Sequence, residues 1–136
     1  MKGGRYSKFA VLVLSSALIL GGCASQQLNV SPEDAVRARA SERWQAMIEK
    51  NWAKAYSFNT PAYRGMVSFD DYKARQGAVV IYKRAEVSEV KCQESSCELR
   101  VFVEFTPVQK GFGDATTSFS ERWVKDEQGW WLFQNF

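Results

Sequence analysis

Histidine is absent from all 136 residues. Without it a serine nucleophile loses its usual proton acceptor and zinc loses its imidazole ligands, so triad hydrolases and His-based metal sites are excluded. Cysteine is scarce, at three residues, and no two stand at the Cys-x-x-Cys spacing of redox or zinc motifs. No carboxylate run has the pattern of a calcium loop, and no glycine-rich phosphate cradle stands between a strand and a helix. No metal and no cofactor is therefore expected. Long apolar runs are also missing. The run from Phe9 to Leu20 is twelve residues long and holds two serines, against about 20 apolar residues for a spanning helix.

What stands around that run is informative. Lys2, Arg5 and Lys8 precede it with no acid among them, which reads as the positive n-region of an export signal. The run ends in Leu20-Gly21-Gly22-Cys23. This resembles the lipobox of bacterial lipoproteins, in which a cysteine after small residues becomes the mature N-terminus. The resemblance implies removal of residues 1–22, a diacylglycerol thioether on Cys23 and an acyl chain on its amino group. Two or more chains anchor stably where one does not. Ala24 follows the cysteine in place of the Asp that marks inner-membrane retention. The resemblance therefore places the anchor in the outer membrane, with the domain facing the periplasm. Residues 23–31 are then the lipidated cysteine and a short tether, and 32–136 form one domain.

Charge must be counted on the chain that remains. Three of the 18 Lys and Arg lie in the signal and none of the 15 Asp and Glu do, so 15 cations meet 15 anions beyond it. The precursor's basic balance therefore carries no message about nucleic acid, which is not an expected partner. Export also implies an oxidising compartment. There Cys92 and Cys97, separated by the polar Gln93-Glu94-Ser95-Ser96, are expected to staple the base of a hairpin tip as a disulfide. A redox or metal-binding pair is the alternative.

Helix signals fill the first half of the domain. Ser31-Pro32-Glu33-Asp34 offers a cap, a first-turn proline and acids at the positive end of the dipole. Val36, Ala40, Trp44, Met47 and Ile48 recur at helical spacing, predicting a helix to about Lys50. Asn51-Trp52 marks a kink or new cap, Thr60-Pro61 opens a short helix, and Ser68-Phe69-Asp70-Asp71 is a capping box leading through Tyr72 and Arg75. After Gly77 the period changes to two. A strand is expected over Ala78–Val90, with an irregularity at Ser88-Glu89 where the apolar parity slips. Leu99, Val101, Val103 and Phe105 alternate cleanly, and Pro107 with Gly111-Phe112-Gly113-Asp114 ends that strand. Thr117, Phe119, Glu121 and Trp123 share a face of the next, Asp126–Gly129 turns, and Trp130–Phe136 is the last strand. Helices followed by four antiparallel strands give an α+β domain.

These residues resemble a known family. Arg43-Trp44, Trp52-Ala53-Lys54-Ala55-Tyr56-Ser57-Phe58, Thr60-Pro61-Ala62-Tyr63-Arg64 and Ser68-Phe69-Asp70-Asp71-Tyr72 are similar to the helical half of NTF2-like proteins. Trp123-Val124-Lys125 and Gly129-Trp130-Trp131-Leu132 are similar to that superfamily's closing strands. The resemblance implies a cone in which a strongly bent antiparallel sheet wraps the N-terminal helices around an apolar cavity. Members include small isomerases, dehydratases and accessory domains without chemistry, so fold alone does not assign function.

Candidate residues follow. If the face of Glu121 is internal, its carboxyl is desolvated and raised in pKa, a catalytic general base in the cavity; if external, it is a surface acid. Glu104 is expected in a cross-strand ion pair, and Asp70 and Asp71 in the capping box. Arg64 is read either as an anion-binding group at the cavity mouth or as part of a surface salt bridge. Trp123, Trp130 and Trp131 are candidates for ligand or partner contact, since neighbours such as Trp130 and Trp131 point to opposite sides of a strand and one is expected to stay exposed. The expected role is non-catalytic binding or scaffolding in the envelope, toward a protein partner, a small apolar ligand or a second copy in a homodimer. The alternative is a small isomerase- or dehydratase-type enzyme using Glu121 or a tyrosine.

Overall fold

Local capping chemistry decides where each helix begins. The computed structural model describes residues 30–76 and 78–135, so the signal, Cys23 and nearly all of the tether lie outside the described residues. Four helices come first: α1 (Pro32–Ile48), α2 (Trp52–Ser57), α3 (Pro61–Met66) and α4 (Phe69–Arg75). Their N-caps are Ser31, Asn51, Thr60 and Ser68, and each side chain accepts a hydrogen bond from the backbone N–H three residues on. That is the contact that satisfies an otherwise orphaned donor of the first turn. Ser68 also donates to the Asp71 carboxylate at 2.7 Å, completing a local pair, while Asp70 stays exposed. Helix α1 stops at Ile48 rather than Lys50, because Lys50 takes the left-handed conformation at φ 57° that ends helices.

Four strands follow, β1 (Val80–Gln93), β2 (Ser96–Pro107), β3 (Ala115–Asp126) and β4 (Gly129–Phe133), paired antiparallel in the order β1-β2-β3-β4. The sheet is curved and does not close, which gives the α+β architecture of helices held in a bent antiparallel sheet. Two register shifts bend β1, one between Val87 and Glu89 and one between Tyr82 and Arg84. The first is where the apolar parity slips, and Arg37 of α1 donates to the Val87 carbonyl there at 2.7 Å. The second sets Lys83 apart, with its ammonium 2.7 Å from the Asp114 carboxylate. Bulges of this kind increase local twist and re-aim a side chain.

Cys92 and Cys97 are direct cross-strand partners and form the disulfide at the β1–β2 tip. Closing so short a loop stabilises by about 2 kcal/mol in the chain-entropy model. The last strand is shorter than expected, ending at Phe133, and pairs only with Arg122–Asp126 of β3. Its other side is tied to the helices. Leu132 N–H donates to the Phe58 carbonyl at 2.8 Å, and Thr60 N–H donates to the Leu132 carbonyl at 3.1 Å. The core lies between α1 and the inner face of the sheet, with Val36, Ala40, Tyr72, Val101, Trp123 and Leu132 all at 2% exposure or less.

Candidate functional site

Glu121 projects from β3 to the inner face, as the alternation with Trp123 requires, and is 9% exposed. Its carboxylate meets three donors. Oε1 accepts from Arg43 Nη1 at 2.8 Å and from the Trp44 indole at 2.8 Å, and Oε2 accepts from the Trp123 indole at 3.0 Å. Arg43 is itself 4% exposed, and its guanidinium lies 5.1 Å from the Trp44 ring centroid. A charge taken from water is costly unless paired and hydrogen-bonded, and here the pair and the two indoles supply both conditions. Of the two faces left open for Glu121 the inner one is taken, in a setting where three donors already meet the carboxylate.

Two tyrosines complete this polar centre. Tyr72 of α4 is fully buried and donates its hydroxyl to the Met47 sulfur at 3.5 Å. Burial pushes its pKa up, with the Arg43 guanidinium opposing that effect. Tyr82 of β1 is raised for the same reason, again with Arg43 opposing. Neither Arg43 nor this pairing of tyrosines was singled out by sequence reasoning. The available signal was position: Arg43 lies three residues after Ala40 and four before Met47, inside the apolar stripe of α1.

At the edge of the centre the side chains become aromatic and partly open to solvent. Trp44 meets Tyr82 edge-on, with centroids 5.4 Å apart, and stacks with Phe119 at 5.7 Å. Phe119 is 41% exposed, and Phe105 and Thr117 on the same inner face are half-buried. These residues form a partly exposed aromatic rim that borders Arg43 and Glu121 through Trp44.

The other candidates fall elsewhere. Trp123 is wholly buried and its indole N–H is committed to Glu121, so it offers nothing to a partner at the surface. Trp130 is buried as well, and Trp131 is half-buried. The expected exposed member of that pair is missing because guanidinium groups lie over the ring of Trp131, Arg39 at 5.4 Å and Arg64 at 5.3 Å. Arg64 also donates through Nε to the Asn59 carbonyl at 3.1 Å and forms no salt bridge among the described residues. It is therefore a packing and tethering side chain of the α2–α3 junction, in place of the surface ion pair. Glu104 faces Arg84 in register, but that guanidinium turns to Glu86 at 3.2 Å, so the expected cross-strand pair does not form.

The outer face of the sheet carries two open grooves. The larger, about 530 Å³, runs between Lys91, Arg100, Arg122 and Phe133, and its Glu98–Arg122 pair closes at 3.1 Å. The smaller, about 250 Å³, lies around Arg84, Phe102 and Thr116. Among the described residues no group of three or more Cys, Asp or Glu stands close enough to hold a metal.

Comparison with known proteins places the fold and nothing finer. No family model and no curated protein matches the chain. Among solved structures it is similar to a SEC-C motif containing protein from Rhodopseudomonas palustris, at 15% identity and TM-score 0.59 over 77% of each chain. It is also similar to one from Psychrobacter arcticus, at 12% identity and TM-score 0.61, covering 75% of this chain and 60% of that one. A putative NTF2-like transpeptidase from Campylobacter jejuni matches at 13% identity and TM-score 0.46, over 71% of this chain and 94% of that one. Identities at this level speak for a shared fold alone, an α+β domain with helices held in a curved antiparallel sheet.

Proposed function

We propose that the chain is a lipid-anchored envelope protein whose NTF2-like domain faces the periplasm and binds rather than catalyses. The observation that carries the non-catalytic reading is the state of Glu121. A general base must present a free lone pair to a substrate proton, whereas three of about four acceptor sites on this carboxylate are taken by Arg43, Trp44 and Trp123, and the remaining one, on Oε2, is buried with the rest of the group. The fully buried Trp123 and Tyr72 fill the interior that a reacting substrate would need. The partly exposed aromatic rim of Trp44, Tyr82 and Phe119 is the surface this reading assigns to a small apolar ligand or an apolar side chain of a partner. The Cys92–Cys97 disulfide suits an oxidising compartment, Cys23 with its preceding small residues suits lipidation, and Ala24 after it suits the outer membrane.

The second reading is a small isomerase- or dehydratase-type enzyme. Tyr82 favours it, a half-buried residue of the aromatic rim whose hydroxyl is kept protonated by burial. Native mass spectrometry of the exported domain, purified without detergent, with the released molecule identified by NMR, separates the readings. A retained small apolar molecule, unchanged on release, supports binding. Its conversion to an isomer or dehydrated product, lost in Tyr82→Phe, would overturn it. The anchor is tested by Cys23→Ser, which should abolish acyl labelling and free the chain from membranes.

A further inference from the structure

The two edges of this sheet are built differently. Strand β1 lies at one edge and carries Lys83, Arg84, Glu86, Glu89 and Lys91 along with two register shifts. Charges and bulges of this kind are how edge strands avoid pairing with other chains. Arg37 also occupies carbonyls of that strand, at Val87 and Ser88.

The opposite edge is covered only along β4, where Phe58 and Thr60 bond Leu132. Because β4 pairs only with Arg122–Asp126, the segment Ala115–Ser120 of β3 is bonded on its β2 side alone among the described residues. Its sequence, Ala-Thr-Thr-Ser-Phe-Ser, contains no charge and no proline and is rich in residues that favour strands. Thr116, Ser118, Phe119 and Ser120 are all exposed.

We infer that this edge of β3 pairs antiparallel with the same edge of a second copy of the chain, joining two sheets into one across a twofold axis. Centred on Ser118, the pairing sets Ser118 against its own copy, Thr116 against Ser120, and Thr117 against Phe119, so opposed residues share a face. A neutral segment meets no repulsion from its own image, whereas an extended segment of β1 would set like charges together. The balance of 15 cations and 15 anions beyond the signal removes long-range repulsion between copies as well. Phe119 belongs to both features, so the pairing brings two aromatic rims to the shared edge.

The test uses the full chain, extracted from membranes in a mild detergent, with protein mass measured by light scattering over a dilution series. The wild type is expected at twice the chain mass, falling toward the single mass on dilution. Thr116→Lys with Ser118→Lys places like charges opposite one another across the axis and is expected at the single mass throughout, with an unchanged near-ultraviolet tryptophan signal. Ser118→Glu, a smaller change at an exposed position, should act in the same direction if the double variant folds poorly. A wild type at the single mass over the whole series overturns the inference, as does a dimer that survives these variants. In intact cells, a photo-crosslinking residue at position 118 should give an adduct at twice the chain mass. An adduct with a different protein alone would mean that the edge serves another partner's strand, and self-pairing would be wrong.

Discussion

Arg43 and Glu121 lie 78 positions apart in sequence, yet their side chains meet at 2.8 Å with 5% and 7% of their surface exposed. The contact ties the longest helix to the third strand through the centre of the domain. Its physics is asymmetric. Forming such a pair gains little over an apolar contact of the same volume, because desolvation offsets the attraction, but removing one partner strands the other charge. The two indoles add donors that only this arrangement of α1 and β3 supplies.

The rings around that pair divide into structural and accessible members. Trp123→Ala removes a fully buried indole and a donor to Glu121, and is expected to cost about 3–5 kcal/mol in chemical denaturation. Phe119→Ala, at a position 41% exposed, should cost only about 1 kcal/mol. It should nevertheless alter the fluorescence of Trp44, on which it stacks. Equal losses for the two variants would place Phe119 in the core and remove it from the accessible rim.

Residues 24–136, unfolded without reductant, should show no titratable thiol, since Cys92 and Cys97 are joined. Replacing both by serine should lower stability by about 2 kcal/mol, read as a shift of the denaturation midpoint. A change near zero would mean that the β1–β2 tip is set by its ladder and by the Lys125 N–H to Ser95 carbonyl bond at 2.8 Å.

Asp114 gives a pH dependence with a defined sign. Hydrogen bonds from Lys83, and then from Thr106, hold its carboxyl below the usual 3.8. A carboxylate with a depressed folded pKa stabilises fully above its unfolded value and loses that contribution as pH falls through the folded value. The stability difference between wild type and Asp114→Asn should therefore be constant above the ordinary aspartate range and shrink below it. Denaturation curves across that range, with the Asp114 carboxyl followed by NMR, check both halves.

Much of this architecture was legible because the responsible contacts are short in sequence. Ser31, Asn51, Thr60 and Ser68 each cap through the backbone three residues on, and the alternation of Leu99, Val101 and Val103 reads directly as an inner face. The slip at Ser88 showed as a change of parity, whereas the one at Lys83 did not, since Lys83 and Arg84 are both polar. The site was less legible for the same physical reason. Arg43 has no role of its own in the sequence until a carboxylate from β3 is brought beside it, and one of Trp130 and Trp131 reads as exposed until Arg39 and Arg64 are folded over Trp131. Pattern gives the face a residue occupies, while the partner waiting there is a tertiary fact.

A double-mutant cycle on Arg43→Met and Glu121→Gln tests the account at its centre. Each single change is expected to destabilise by about 3–5 kcal/mol, and the double variant to lose clearly less than the sum, as a buried pair acting in place of a catalytic base requires. A Glu121→Gln variant as stable as the wild type, or more stable, would contradict it. The carboxylate would then be held at a cost to the fold, the mark of a group kept for chemistry.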